Sequence, residues 1–483
     1  MKIIISGSGI GGLVSALYLN KYGHDVVIYE KNDFAGGKVN EYKKDGYRFD
    51  TGPTLITMPF VLKKFFEDID ENINDYAELN ELEKTCRYFW SDGTMFDSYS
   101  DTEKLSEEIT KRFGNDELNA FKNFLEFSRK LYKISEKYFL TKEFKLRNFI
   151  NADGIRYFRK FTSKKSLNTR ANKFFKDKKL INVINRFATY NGSSPFLTPQ
   201  LFSIIAYVEY MFKPYYVKSG IKKLADSLVE LCNNRGIEIN YNASLKGIEN
   251  NNDVITTVIT ENKSGSIKEI KNFDVLLSNF TNNSSLTGKK YLENTDWSLS
   301  GFLMLMGIEG KNKKLQHHNI LYSDDYEKEF NDLFIKKLPA ENMTIYICIT
   351  SRTDENDAPR GHENWFVLVN APSISNNFEW SEENKEMYKN KIIQRIKEFG
   401  TDIEKKIKFC NIFCPSDFLN LYNCENGSIY GLSSNSLKTM FKRTRNRSNK
   451  YRNLFFAGGN THPGGGVPLC FLSGKIVSNI INK

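Results

Sequence analysis

Residues 2–6 (KIIIS) form a short apolar run that reads as a buried strand, and glycines at 7, 9, 11 and 12 follow at once. Leu13, Ala16, Leu17 and Leu19 then recur at helical spacing up to Gly23, and 25–29 (DVVIY) is a second apolar run that ends on Glu30. Strand, glycine turn, helix and strand in that order predict a βαβ unit. Further on, 47–50 reads as a strand before the turn Gly52-Pro53-Thr54, helical patterns fill most of 60–128, and 87–90 is an aromatic strand. A loop at 190–199 precedes a largely apolar, aromatic helix over 201–216. A second alternating block follows: a helix at 221–233 and strands at 236–240, 245–248, 254–260 and 274–278, with 263–271 as a hairpin connection. From 297 to 372 the strands lengthen, at 301–308, 343–350 and 365–370, which predicts a second, antiparallel sheet facing the substrate. A charged amphipathic helix at 383–399, a strand at 453–457, a glycine run and a helix to the terminus complete the pattern.

The first unit carries readable chemistry. Gly7 permits the tight turn, Gly9 lets backbone approach a pyrophosphate, and Gly12 lets the helix pack on its strand. The free N–H groups of the turn through Ser8, Ile10 and Gly11 suit phosphate oxygens, and the helix dipole favours their charge. Glu30 is placed to accept hydrogen bonds from a ribose diol and to repel a 2′-phosphate. The unit therefore predicts an adenine dinucleotide, against the plainer reading of an ordinary strand-turn-helix. Lys31 and then Gly36, Gly37 and Lys38 suit a loop that folds back over the ligand, with Lys38 neutralising a phosphate or standing in solvent. Gly52, Pro53 and Thr54 bring backbone close to a flat ligand. Near the other end, Gly458, Gly459, Asn460, Gly464, Gly465 and Gly466 before Val467 form another backbone-lined site ahead of a helix.

Composition narrows the class. A chain of 483 residues with 40% apolar content is that of a globular protein of about three domain-sized units. No apolar run approaches the roughly 18 residues of a membrane span. The strand beginning at Lys2 leaves no room for a signal peptide, which predicts a cytoplasmic protein. Seven cysteines without paired spacing read as buried reduced thiols, so no metal site is expected. The net charge of +11 is concentrated: 129–186 holds 18 Lys and Arg against 4 acids, a local +14. Tyr132, Tyr138, Phe139, Phe144, Phe149, Tyr157, Phe158, Phe161, Phe174 and Phe175 interleave with those cations. Three readings compete: a nucleic-acid stripe, a patch for an anionic membrane surface, and ordinary core aromatics beneath charged helices. The membrane surface is carried forward, and no nucleic acid is expected.

With both glycine runs in view, the chain resembles the bacterial-type phytoene desaturases, the FAD-dependent carotenoid desaturases of the flavin amine oxidase superfamily. The resemblance rests on the first forty residues, 49–54 (FDTGPT), 207–220 (YVEYMFKPYYVKSG), 277–279, 317–323 (HHNILYS), 351–354 (SRTD) and 461–468 (THPGGGVP). It implies FAD along Gly7 to Gly12 and Glu30, with Leu245, Ser278 and Asn279 beside it and Gly458 to Val467 closing over the flavin. The helix starting near Val467 would aim its positive end at the flavin pyrimidine. Lys38 stands where the family more often has arginine, and Asn460 where it often has a small residue.

The fold class implied is α/β: a discontinuous Rossmann-like FAD domain (1–75, 217–290 and 425–483), a substrate domain on an antiparallel or mixed sheet (76–128 and 291–424), and a helical, basic, membrane-facing subdomain (129–216). The function implied is desaturation of a carotenoid such as phytoene, with electrons leaving to oxygen or a quinone. Alternatives are desaturation of hydroxylated carotenoid ends, a flavin-dependent saturase or isomerase of apolar polyenes, and a flavin-free lipid-binding protein of the same fold. Glu209, an acid in an apolar stretch, is the candidate general base, against a salt-bridged or surface-facing role. His462 is expected to order the flavin loop, and His317 and His318 to be structural. Bringing half of a forty-carbon polyene into water would cost on the order of 15 kcal/mol, so the substrate is expected to come from the bilayer, with the enzyme docked peripherally on it.

Overall fold

The computed structural model describes residues 1–145, 165–280, 286, 295–436, 439 and 443–483. At its centre is a five-stranded sheet in the order Leu454–Phe456, Val275–Ser278, Lys2–Ser6, Asp25–Tyr29, Glu238–Asn240, with every neighbouring pair parallel. Ile3, Ile4 and Ile5 are all buried, as the strand of a parallel sheet covered on both faces must be. The first helix, Ile10–Lys21, is buried continuously from Ile10 to Leu19. It is apolar all round because it lies between the sheet and two further helices, Lys222–Asn234 and Val467–Ile481. The sheet thus draws its strands from three distant parts of the chain.

A three-stranded antiparallel sheet, Ala243–Asn251, Val254–Asn262 and Ile267–Ile270, is built beside it. The expected connection at 263–271 therefore contains a strand of its own, with Ile270 buried opposite Val258. The second large sheet has seven strands: Ile407–Phe413, Ser300–Glu309, His362–Ala371, Ile345–Cys348, His318–Leu321, Lys84–Phe89 and Met95–Tyr99. It is antiparallel as expected except where His318–Leu321 runs parallel to Lys84–Phe89, so the sheet is mixed.

The helix expected over 201–216 is shorter. A 3₁₀ turn, Gln200–Phe202, leads into Ser203–Phe212, and Tyr215–Val217 is instead a strand paired with Leu79–Glu81. Lys213 at φ 61° and Pro214, which lacks an N–H to continue the helix, end it. Around it, Asn115–Ser135, Leu167–Phe174 and Lys178–Asn185 enclose a core of Phe121, Phe124, Phe175, Ile184, Phe187 and Tyr210.

Of the basic segment, 146–164, with Phe149, Tyr157, Phe158 and Phe161, lies outside the described residues. Among its described aromatics, Tyr132, Tyr138 and Phe175 are buried. Phe174 packs on Phe124 and Phe127, and Phe139 and Phe144 turn toward His462. These rings face inward. Among the described residues no helix is long and apolar enough to cross a membrane.

Candidate active site

The two glycine runs meet. A Cβ on Gly11 would stand 2.7 Å from the Gly458 backbone, and one on Gly12 only 2.2 Å from the Gly7 carbonyl oxygen. Neither position has room for a side chain. Asn279 sits where the runs converge: a Cβ on Gly9 would stand 2.7 Å from its amide, and one on Gly458 2.3 Å. In the orientation that satisfies its amide, the oxygen accepts from Gly9 N (3.1 Å) and Gly12 N (3.3 Å), and the nitrogen donates to the Ala457 carbonyl (3.2 Å). Ser278, the last residue of the adjoining strand, accepts at its carbonyl from Ala457 N at 3.1 Å. The cradle is thus closed by backbone from both ends of the chain.

Glu30 is buried at the end of the second strand. The Ser8 N–H and hydroxyl both donate to its Oε2 at 2.8 Å, and Asn32 N donates to Oε1 at 2.9 Å. Gly36 N donates to the Ser8 carbonyl at 2.9 Å, so the loop does fold back on the first turn, with Gly37 beside Gly9. Its two lysines reach elsewhere. Lys38 Nζ donates to the Ile429 carbonyl, and Lys31 Nζ to the Asn420 carbonyl (2.8 Å) and Asn423 Oδ1 (2.9 Å). Both tie the loop to the segment preceding the second glycine run. A Cβ on Gly52 would stand 2.0 Å from the Lys38 carbonyl oxygen, which sets the turn through Pro53 and Thr54 against the same loop. Leu245 packs with Tyr29 and Ile255 under the sheet edge.

The first and last helices pack side by side. A Cβ on Gly474 would stand 2.7 Å from Val14 Cγ1, Lys475 lies over the Tyr18 ring, and Tyr22 donates to Asn479 at 2.8 Å. Contacts that advance together along both chains make the helices parallel. Neither N-terminus, at Gly9 or Gly466, carries a side-chain cap, and neither first turn holds an acid. Two positive helix ends therefore open at one edge of the sheet. This backbone cradle, too tight for Cβ atoms, with uncapped helix starts and a carboxylate one strand away, fits FAD. His462, next to the second run, lies with Nε2 2.8 Å from the Lys142 carbonyl, and its own carbonyl accepts from Ser473 Oγ at 2.8 Å. Its ring thus reaches residue 142 rather than the backbone of the glycine run.

Toward the seven-stranded sheet, Thr54 Oγ1 lies 2.6 Å from the Tyr346 hydroxyl, which is 2.8 Å from His318 Nδ1. Arg48, in the strand before the Gly52 turn, binds both oxygens of Asp357 (2.5 and 2.7 Å) and Asp50 Oδ1 (2.8 Å), and Tyr216 donates to Asp357 at 2.8 Å. This buried network ties the strand before the Gly52 turn to Asp357, in the connection between two strands of the seven-stranded sheet. Burial pushes the Asp50 carboxyl up.

Glu209 is 2% exposed and is not a free acid. Arg186 and the Tyr190 hydroxyl both donate to its carboxylate, and Arg186 Nε donates to Tyr88 at 2.7 Å. Burial and then the Glu209 charge push the Tyr190 phenol well up, which keeps it a donor. Of the roles read from the sequence for Glu209, general base or salt-bridged or surface-facing glutamate, the structure shows a buried pair with Arg186. Sequence reasoning singled out neither Arg186 nor Tyr190. It also missed Arg443, whose guanidinium donates to the Gly459 carbonyl at 2.7 Å. Arg443 stands in a run of cations whose sign alone gave no position.

Comparison with known proteins agrees with this geometry. A family model described as flavin containing amine oxidoreductase matches residues 10–276. A 1-hydroxycarotenoid 3,4-desaturase of a Flavobacterium is 36% identical, over 99% of this chain and 99% of that protein. A 4,4'-diaponeurosporene oxygenase of Staphylococcus haemolyticus is 30% identical, over 100% and 97%. Among solved structures, an oxidoreductase from Methanosarcina mazei (TM-score 0.62, 15% identity, 100% of both chains) and putrescine oxidase bound to putrescine (TM-score 0.62, 12% identity, 100% of both) share the fold. Fold and cradle together define an FAD-dependent oxidoreductase. The chain belongs to the flavin containing amine oxidoreductase family.

Proposed function

We propose that this protein desaturates a carotenoid, removing a hydride and a proton from neighbouring carbons to extend the conjugated system. The observation that carries this reading is the 36% identity, across 99% of both chains, to a protein named 1-hydroxycarotenoid 3,4-desaturase. That relative's name supports a carotenoid with a hydroxylated end, rather than phytoene, as the substrate. FAD, when bound, supplies the hydride acceptor. Ser8 to Gly12 and the two open helix ends would hold its charged groups. Gly458 and Asn279 close the cradle against water, and the substrate sheet orients the polyene. Arg186 and Tyr190 both donate to Glu209, and Arg186 also reaches Tyr88 of the seven-stranded sheet, so Glu209 serves to anchor its helix to that sheet rather than to take the substrate proton. Oxygen or a quinone removes the electrons, and the segment 129–216 meets the membrane surface from which the apolar substrate comes.

A second reading, oxidation of a carotenoid end to an oxygenated product, is favoured by the relatives named oxygenases at 29–30% identity. Expression in bacteria that accumulate a 1-hydroxylated carotenoid, lycopene or phytoene separates the readings. Desaturation gives a product that lacks one pair of hydrogens and absorbs at longer wavelength. A product that has gained oxygen favours the second reading, and unchanged pigment in all hosts overturns both.

A further inference from the structure

Two histidines and a thiol meet inside the substrate sheet. His318 lies directly across from Cys348 in the antiparallel pairing of their strands, and His317 precedes His318 with its ring centroid 4.4 Å away. All three side chains are buried. One donor atom from each lies within 4.8 Å of those of the other two. Each imidazole is held through one nitrogen only: His317 Nδ1 is 2.6 Å from Thr353 Oγ1, and His318 Nδ1 is 2.8 Å from the Tyr346 hydroxyl. The two Nε2 atoms are buried with no hydrogen-bond partner.

Buried polar atoms are nearly always satisfied, and two orphaned imidazole nitrogens beside one thiol call for a common explanation. The pattern is that of a metal centre, in which the second ring nitrogen is hydrogen-bonded outward and the first is left for the ion. We propose that His317 Nε2, His318 Nε2 and Cys348 Sγ bind a thiophilic transition-metal ion of the zinc class. Imidazole and thiolate suit such an ion and not calcium or magnesium. Bond lengths of about 2.0 Å to nitrogen and 2.3 Å to sulfur put tetrahedral donors roughly 3.3–3.6 Å apart. The three residues already offer donor atoms within 4.8 Å of one another, and side-chain rotation on binding would bring the Nε2 and Sγ atoms together. Binding forms the metal–sulfur bond, and the thiol proton leaves to solvent.

The guanidinium groups nearest the two rings do not oppose a cation unchecked. Arg48, toward His317, is paired with Asp50 and Asp357, and Arg186, toward His318, with Glu209. Three protein donors leave a fourth position, as in a site that meets a ligand. Tyr346 links it to Thr54, on the turn that the resemblance places near the flavin. The sequence displays the histidine pair, but the thiol comes from a strand thirty residues later, which is why spacing predicted no metal.

Purified flavoprotein, stripped with chelator, exposed to a slight excess of Zn²⁺ and desalted, is expected to retain about one zinc per flavin. Cys348→Ser and His318→Asn should each lower retention by roughly tenfold or more while keeping their flavin, and Cys410→Ser should match the wild type. Wild type retaining under about a tenth of a zinc per chain, or variants retaining as much as wild type, overturns the site. If a variant yields no flavoprotein, X-ray absorption at the zinc edge of the loaded wild type decides. Nitrogen and sulfur scatterers at about 2.0 and 2.3 Å support the site, and the absence of sulfur overturns it.

Discussion

At the scale of single residues, a methyl group on Gly12 has nowhere to go, because it would stand 2.2 Å from the Gly7 carbonyl oxygen. Gly12→Ala must part the first helix from its strand, an overpacking cost of about 1–3 kcal/mol. The purified variant is expected to carry less than about a tenth of the wild-type flavin, read from its visible absorbance against protein. Glu209 makes a different prediction. Glu209→Ala leaves the Arg186 guanidinium buried without its anion, and loss of one partner of such a pair costs about 3–5 kcal/mol. Thermal unfolding should reveal that loss, and Arg186→Met combined with Glu209→Leu should recover much of it.

His462 adds a dependence on pH. Burial holds its folded-state pKa down to about 4, from 6.5 when unfolded. The unfolded chain therefore takes the proton first. The contribution of His462 is complete above about pH 6.5 and is lost as pH falls toward about 4, at about 1.4 kcal/mol per unit. Urea midpoints taken between neutral pH and pH 5 should fall, and should fall less steeply in His462→Asn. These residues differ in how far the sequence disclosed them. Gly12 was legible because a turn type dictates it. Glu209 was legible as an acid in an apolar stretch with a salt-bridged role left open, but its partner was not, since Arg186 approaches it from a separate helix-end turn.

At the scale of elements, the parallel contact between the first and last helices depends on Gly474. A Cβ there would stand 2.7 Å from Val14 Cγ1, so Gly474→Leu should wedge the helices apart and splay the two open ends. The expected outcome is weaker flavin retention with a loss of about 1–3 kcal/mol in stability, measured by flavin release during urea titration. Both helices were legible from their spacing and the glycines before them. Their adjacency was not, because no local pattern states which helix covers which. The same holds for the strand pair Lys84–Phe89 and His318–Leu321, parallel partners more than 200 residues apart. The overlong helix at 201–216 had a local reason: an apolar run continues past Pro214, and its last residues, Tyr215 and Tyr216, are good strand formers.

At the scale of the whole molecule, the substrate reading carries its own test. If the segment 129–216 docks the enzyme on a bilayer, the flavoprotein should sediment with anionic liposomes at low salt and be released as salt rises, since charge attraction is screened. Failure to sediment would remove the docking reading while leaving the chemistry intact. Among the described residues the segment's buried rings face inward, so a docking contact there would rest on cations.

The contact of Gly11 with Gly458 has a consequence in time. The opening βαβ unit leaves the ribosome early, but the backbone that closes its cradle is made more than 400 residues later. At synthesis rates of about 5–20 residues per second, the nascent chain waits on the order of half a minute with an open cradle and an unpaired sheet edge. The cradle is therefore complete only once residue 458 has been made, and a ribosome stalled shortly before it should hold a nascent chain that binds no flavin.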